Sequence, residues 1–254
     1  MPKGALLLAA ALAAAAPAAD LKPVITFDNQ AGIAPDEMAS IERDFRDWAA
    51  RVYRYHEATP GPVTVRITNK VPFGFYSEGA VMLPPNERWT MLDDFVHELT
   101  HHVTGHDSSF FMKEGASVHT LEALFGQEGR VPNAWPQFGQ TTDAWVALYV
   151  ARGRMMRLEE ALAWPRYRGD TPDNDFRSWQ IYNIAGSFTG WYLKRYGRVA
   201  WRDAVRKQWP AQDSGELEKA WLADVAARKP PAFDAAAVIP RGRRYNGYIE
   251  RLSR

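Results

Sequence analysis

The chain has 254 residues and no cysteine. That absence removes disulfides, thiol nucleophiles and thiolate metal sites, so any metal must be held by nitrogen and oxygen. Neither sign of charge is in excess: 31 Lys and Arg face 30 Asp and Glu, a net +1. Nothing in that balance demands nucleic acid or an anionic membrane as partner, and a peptide, protein or small molecule is the default. Histidine is scarce, with six in all. Long apolar runs are missing too; the run from Ala5 to Ala16 is too short to span a bilayer as a permanent anchor. What remains is an ordinary globular composition, 46% hydrophobic and 24% charged.

The first twenty residues, "MPKGALLLAAALAAAAPAAD", join a basic Lys3, the apolar run and the small triplet Ala16-Pro17-Ala18. This is the pattern of a secretory signal, so residues 1–19 are read as a signal peptide and the mature protein as exported, periplasmic or secreted. No stable membrane insertion is expected after its removal.

The rest reads as one α+β domain, 20–254. Residues 20–126 form a lobe with a small mixed or antiparallel sheet and the chemistry-bearing helices. Residues 127–228 form a mainly helical lobe, and 229–254 a basic tail expected to be solvated. "PVITFDN" and "PVTVRITN" predict strands, and "APDEMASIERDFRDWAARVYRYH" between them an amphipathic helix with Pro35 near its start. "FGFYSEGAVMLPP" predicts a hairpin turning at Glu78-Gly79, with "GAVMLPP" a candidate edge strand for an extended peptide. Helices follow over 89–103, 110–125, 142–162, 176–196, 200–208 and 215–228.

Four of the six histidines fall in "FVHELTHHVTGHD", residues 95 to 107. On a helical wheel Phe95, Val96, Leu99 and Val103 lie within about 60° of Leu92, a core-facing stripe. His97 and His101 stack on the opposite side at i, i+4, so two imidazoles can converge on one ion. Glu98 is turned about 100° from His97, near such an ion without facing it squarely, which suits a base acting on bound water. This is HExxH, two zinc-binding histidines and a general base. The competing reading is a polar, solvent-facing helix.

A catalytic zinc needs three protein ligands and one open position. Downstream, "FFMKEGASVHTLE" follows the motif after a short aromatic turn. HExxH followed by Glu-Gly-x-Ala resembles the gluzincin zinc metallopeptidases, and Phe111-Met112-Lys113-Glu114-Gly115-Ala116 resembles the second helix of the peptidase-MA-like group. The resemblance implies Glu114 as third ligand, with the small residues 115 and 116 letting this helix approach the histidine helix. Glu122, further along the same helix, and Asp107, where a metzincin places its last ligand, remain alternatives. Asp94 is a candidate acceptor for a ligand imidazole; His102, His106 and His119 are candidates for cleft-lining or surface roles.

"YNIAGSFTGWYLKRYG", residues 182 to 197, also resembles the gluzincin group. By periodicity Tyr182, Ala185, Thr189, Tyr192 and Tyr196 form a buried stripe. The resemblance implies instead that a tyrosine, here Tyr182, directs its hydroxyl at the reacting oxygen. The expected function is a zinc metallopeptidase acting on peptides or proteins, with His97, His101 and Glu114 as ligands, Glu98 as general base and Tyr182 as oxyanion donor. The alternatives are a zinc amidase acting on cell-wall peptides and a non-catalytic exported binding module.

Overall fold

A computed structural model describes residues 22–77, 79–105, 109–206 and 213–253. Residues 1–19, expected to be a signal peptide, the Glu78 turn position, His106 and Asp107 lie outside the described residues. The fold is α+β, a small mixed sheet followed by a helical region.

The sheet consists of β1 (Ile25–Asn29), β2 (Val63–Ile67), β3 (Phe75–Ser77) and β4 (Ala80–Leu83), in the order β1-β2-β4-β3. β1 and β4 run parallel to β2, and β3 is antiparallel to β4. Helix α1 (Pro35–His56) supplies the crossover that the parallel β1–β2 pair requires, with Pro35 in its first turn, where a missing N–H costs nothing. The alternation in β2 buries Val63, Val65 and Ile67. "GAVML" is therefore not an edge. β4 is bonded on both sides, and the outer positions fall to β1 and β3, because the chain leaving β2 lays down β3 outside β4.

Helix α2 (Arg88–Thr104) packs its stripe of Leu92, Phe95, Val96 and Leu99 into the core beneath the sheet, Phe95 stacking on Phe45 of α1 at 4.3 Å. It stops at Gly105, whose φ of 86° suits glycine. Helix α3 (Phe110–Gly126) starts at Ser109, whose hydroxyl accepts from the Met112 amide at 3.3 Å. α3 belongs to two cores. Phe111, Met112, Ala116 and Val118 pack with the helices that follow, while Leu121, Leu124 and Phe125 pack with α1, α2 and the sheet.

The expected helix over 142–162 is two: α4 (Thr142–Ala151) and α5 (Leu158–Ala163), parted by a turn with Gly153 at φ 63°. Buried Glu218 accepts from the Leu158 amide at 2.6 Å and so fixes the start of α5. The helices expected over 176–196 and 200–208 do part, at Gly197, whose φ of 81° and ψ of 172° are not helical; the two stretches together are called α6 (Pro172–Arg206), and 207–208 lie outside the described residues.

Helices α7 (Ser214–Arg228), α8 (Ala235–Val238) and α9 (Arg243–Ser253) complete the chain. The last of these corrects the expectation of a solvated tail. Tyr248 and Leu252 are buried, and Tyr248 packs on Trp179 of α6 at 4.4 Å. Tyr245, Tyr248, Ile249 and Leu252 follow the i, i+3, i+4, i+7 spacing of a buried stripe, which the surrounding charge had masked.

The small residues of α3 also face differently from expectation. A Cβ on Gly115 would lie 2.6 Å from Thr189 Oγ1 and 2.8 Å from the Ala185 carbonyl, both on α6. A Cβ on Gly186 would meet Val118 at 2.7 Å. These glycines set the close approach of α3 to α6, not of α3 to α2. Among the described residues no helix is long and apolar enough to cross a membrane.

Candidate metal centre

Two helices build the site. α2 carries His97, Glu98 and His101, and one ligand atom from each lies within 4.8 Å of the others, a group that could hold a metal ion. α3 crosses it so that the Glu114 Oε2 lies 3.1 Å from His97 Nε2 and 3.4 Å from His101 Nε2. Four ligands 2.0–2.1 Å from a tetrahedral ion are separated by about 3.3 Å. Glu114 thus stands from both imidazoles at the separation that shared coordination requires. His101 and Glu114 are buried, and His97 is partly exposed.

Electrostatics favour a cation here. Burial opposes protonation of His97, but the hydrogen bond to Glu114 and the charges of Glu98, Glu114 and Asp94 outweigh it and hold its pKa above the ordinary value. Burial would raise the Glu114 pKa, yet His101 and His97 drive it far below the usual carboxylate range. An isolated carboxylate so deeply buried would be neutral; this one is kept ionised by two converging imidazoles.

The outer ring nitrogen of His101 is also held, with Ser117 Oγ 3.1 Å from Nδ1. Such a contact fixes ring orientation and leaves Nε2 able to ligate a metal ion. Ser117 escaped the sequence reading, although its position one turn after Glu114, on the same face of α3, was a usable signal.

Asp94 plays a different part from the one expected. It accepts from the Gly74 backbone, and burial followed by the Glu98 charge pushes its pKa up to about 7. Gly74 permits this contact, since a Cβ there would sit 2.8 Å from Asp94 Cβ. Asp94 acts on His97 through its charge.

Tyr182 of α6 lies beside the site, its ring centroid 6.2 Å from that of His97 and enclosed by Trp135 at 4.3 Å and Phe110 at 5.5 Å. Burial, then Glu114 and Glu98, push its phenol well above the ordinary range, so it stays protonated and able to donate. Trp135 comes from the loop before α4 and had no sequence signal.

The remaining candidates are engaged elsewhere. Glu122 Oε2 accepts from the Thr142 amide at 2.9 Å and from Gln137 Nε2 at 3.2 Å, anchoring the start of α4. His102 Nδ1 lies 2.8 Å from the Tyr76 hydroxyl of β3, and His119 faces a separate pocket. Asp107, the other alternative ligand, lies outside the described residues. No family model, curated protein or solved structure matches the chain.

Proposed function

We propose that this chain is an exported zinc metallopeptidase of gluzincin type that hydrolyses peptide bonds in a peptide or protein substrate. The observation that carries the proposal is Glu114 Oε2 at 3.1 and 3.4 Å from the two Nε2 atoms, which makes a two-histidine, one-carboxylate donor set. Nitrogen and oxygen donors in that number suit zinc, and three protein ligands leave a fourth position open. Zinc bound there supplies a Lewis acid and lowers the pKa of its water to about 7.

The protein groups then have distinct tasks. His97, His101 and Glu114 orient the ion, and Ser117 orients His101. Glu98, on the same turn as His97, takes a proton from the attacking water and returns it to the leaving amine. Tyr182, protonated and beside His97, donates to the oxyanion that forms on the scissile carbonyl. Export is supported by the leader pattern of residues 1–19.

Metal analysis of the purified mature protein tests the reading. About one zinc per chain, lost in Glu114→Ala and kept in Glu122→Ala, is the expected result. Peptide-library cleavage by the wild type, abolished in Glu98→Gln with zinc retained, would complete it. A wild type that takes up no zinc and melts unchanged after metal loading sinks the proposal.

A further inference from the structure

A second group of chemistry-bearing side chains lies around α3 from the metal centre, His119 being about 140° from Glu114 on the helix. The end of α1, the middle of α3 and α6 on either side of Gly197 there enclose a small cavity of about 30 Å³, open to solvent. Neither the metal centre nor its chemistry uses this pocket.

Its inner wall is polar and incompletely satisfied. His56 Nε2 lies 2.8 Å from Thr120 Oγ1. His119 is pressed on the α6 backbone, where a Cβ on Gly190 would come within 2.8 Å of its ring. Thr189 is 1% exposed and lines the pocket, and its buried hydroxyl has no hydrogen-bond partner.

The mouth is cationic. Arg198 and Arg202, one turn apart beyond the bend at Gly197, share a single carboxylate, Glu57, at 3.9 and 3.1 Å. Two guanidinium groups against one carboxylate leave the rim positive. The imidazoles add no charge: burial first, then Arg198, pushes His56 down to about 3 and His119 to about 4. Trp201 and Leu193 supply apolar wall between rim and interior.

We propose that this pocket binds a small organic oxyanion, its charged end on Arg198 and Arg202, its apolar body against Trp201 and Leu193. The guanidinium forks match carboxylate and phosphate alike. The cavity admits the head group alone, and the apolar body rests at its open mouth. The anion takes over the contacts that Glu57 now makes. The proposal does not depend on what the metal centre does.

Calorimetric titration of the full mature chain with benzoate, phenyl phosphate and uncharged benzyl alcohol is the test. Both anions are expected to bind and the alcohol not to. Arg202→Gln should weaken binding about tenfold or more. Glu57→Gln, at an exposed position where folding is not at risk, should strengthen it severalfold by removing the competing carboxylate. Comparison of benzoate with phenyl phosphate identifies the preferred head group. No binding of either anion at about 10 mM to both wild type and Glu57→Gln overturns the proposal. So does equal binding by Arg202→Gln, or benzyl alcohol binding as well as benzoate.

Discussion

Two pairs of histidines meet on opposite sides of α3 and live in opposite electrical surroundings. His97 and His101 meet Glu98, Glu114 and Asp94, and the acids hold the His97 pKa above its ordinary value. His56 and His119 meet Arg198, and burial first, then that cation, drives them to about 3 and about 4. Burial opposes the imidazolium in both places. On one side a carboxylate surround overcomes it and prepares an imidazole pair for a cation; on the other a guanidinium adds to it, and the neutral pair leaves room for an anion.

The comparison breaks most visibly at the acids of the metal side. Glu98→Gln should leave metal content unchanged and lower peptide hydrolysis by about 10²–10⁴-fold, read as kcat/KM on a cleaved peptide. Unchanged turnover would remove Glu98 from proton transfer. Glu114→Ala should lose the metal altogether, measured by elemental analysis. Glu122→Ala should keep it and lose only about 1–3 kcal/mol in urea unfolding, because Gln137 and the Thr142 amide lose their acceptor. Tyr182→Phe should keep the metal and lower kcat about 10²-fold with little change in KM. An equal fall in stability without a kcat effect would make Tyr182 a packing residue only.

Smaller changes sharpen the contrast. Gly115→Ala should cost about 1–3 kcal/mol in the same unfolding experiment, since the new methyl would press on Thr189 and the Ala185 carbonyl. On the arginine side the expected effect is a pH slope. Below about pH 6.5 the unfolded chain protonates His56 and His119, and the folded protein resists until about pH 3 for His56 and about pH 4 for His119. Their stabilising contribution is therefore complete above pH 6.5 and lost as pH falls through that window. His119→Gln should flatten this loss by at most one proton, about 1.4 kcal/mol per pH unit. His97, with a raised pKa, works the other way in metal-free protein: its contribution is complete below pH 6.5 and lost as pH rises through the folded value. Unfolding of metal-free His97→Gln and of His119→Gln across pH 4.5 to 7.5, about three units, should change slope in opposite senses. Parallel changes would remove the electrical distinction between the pairs.

Much of the metal side could be read before any fold was known. The i, i+4 imidazoles, Glu98 one residue on, the core stripe behind them and Gly105 as terminator all follow from the geometry of one helix. Glu114 came from likeness to a second-helix pattern, and its placement between the imidazoles came from packing. Sequence patterns parted the two halves of α6 at the Gly197 break, yet joined α4 to α5, because the break at Arg152-Gly153 depends on what each segment packs against. The apolar stripe of α9 was in the sequence, and charge at the terminus hid it.

The sequence by itself determined which side chains recur on one helix face, since 3.6 residues per turn fixes that locally. It therefore determined the histidine pair and the acid beside it, Glu98. Only the tertiary structure decided that Gly115 serves α6, that Ser117 holds His101, that Glu122 caps α4, and that β4 is interior. Only it joined His56, His119, Thr189, Arg198 and Arg202 into one pocket. These residues come from three helices far apart in the chain, and their meeting depends on close-packed contacts that no local period encodes.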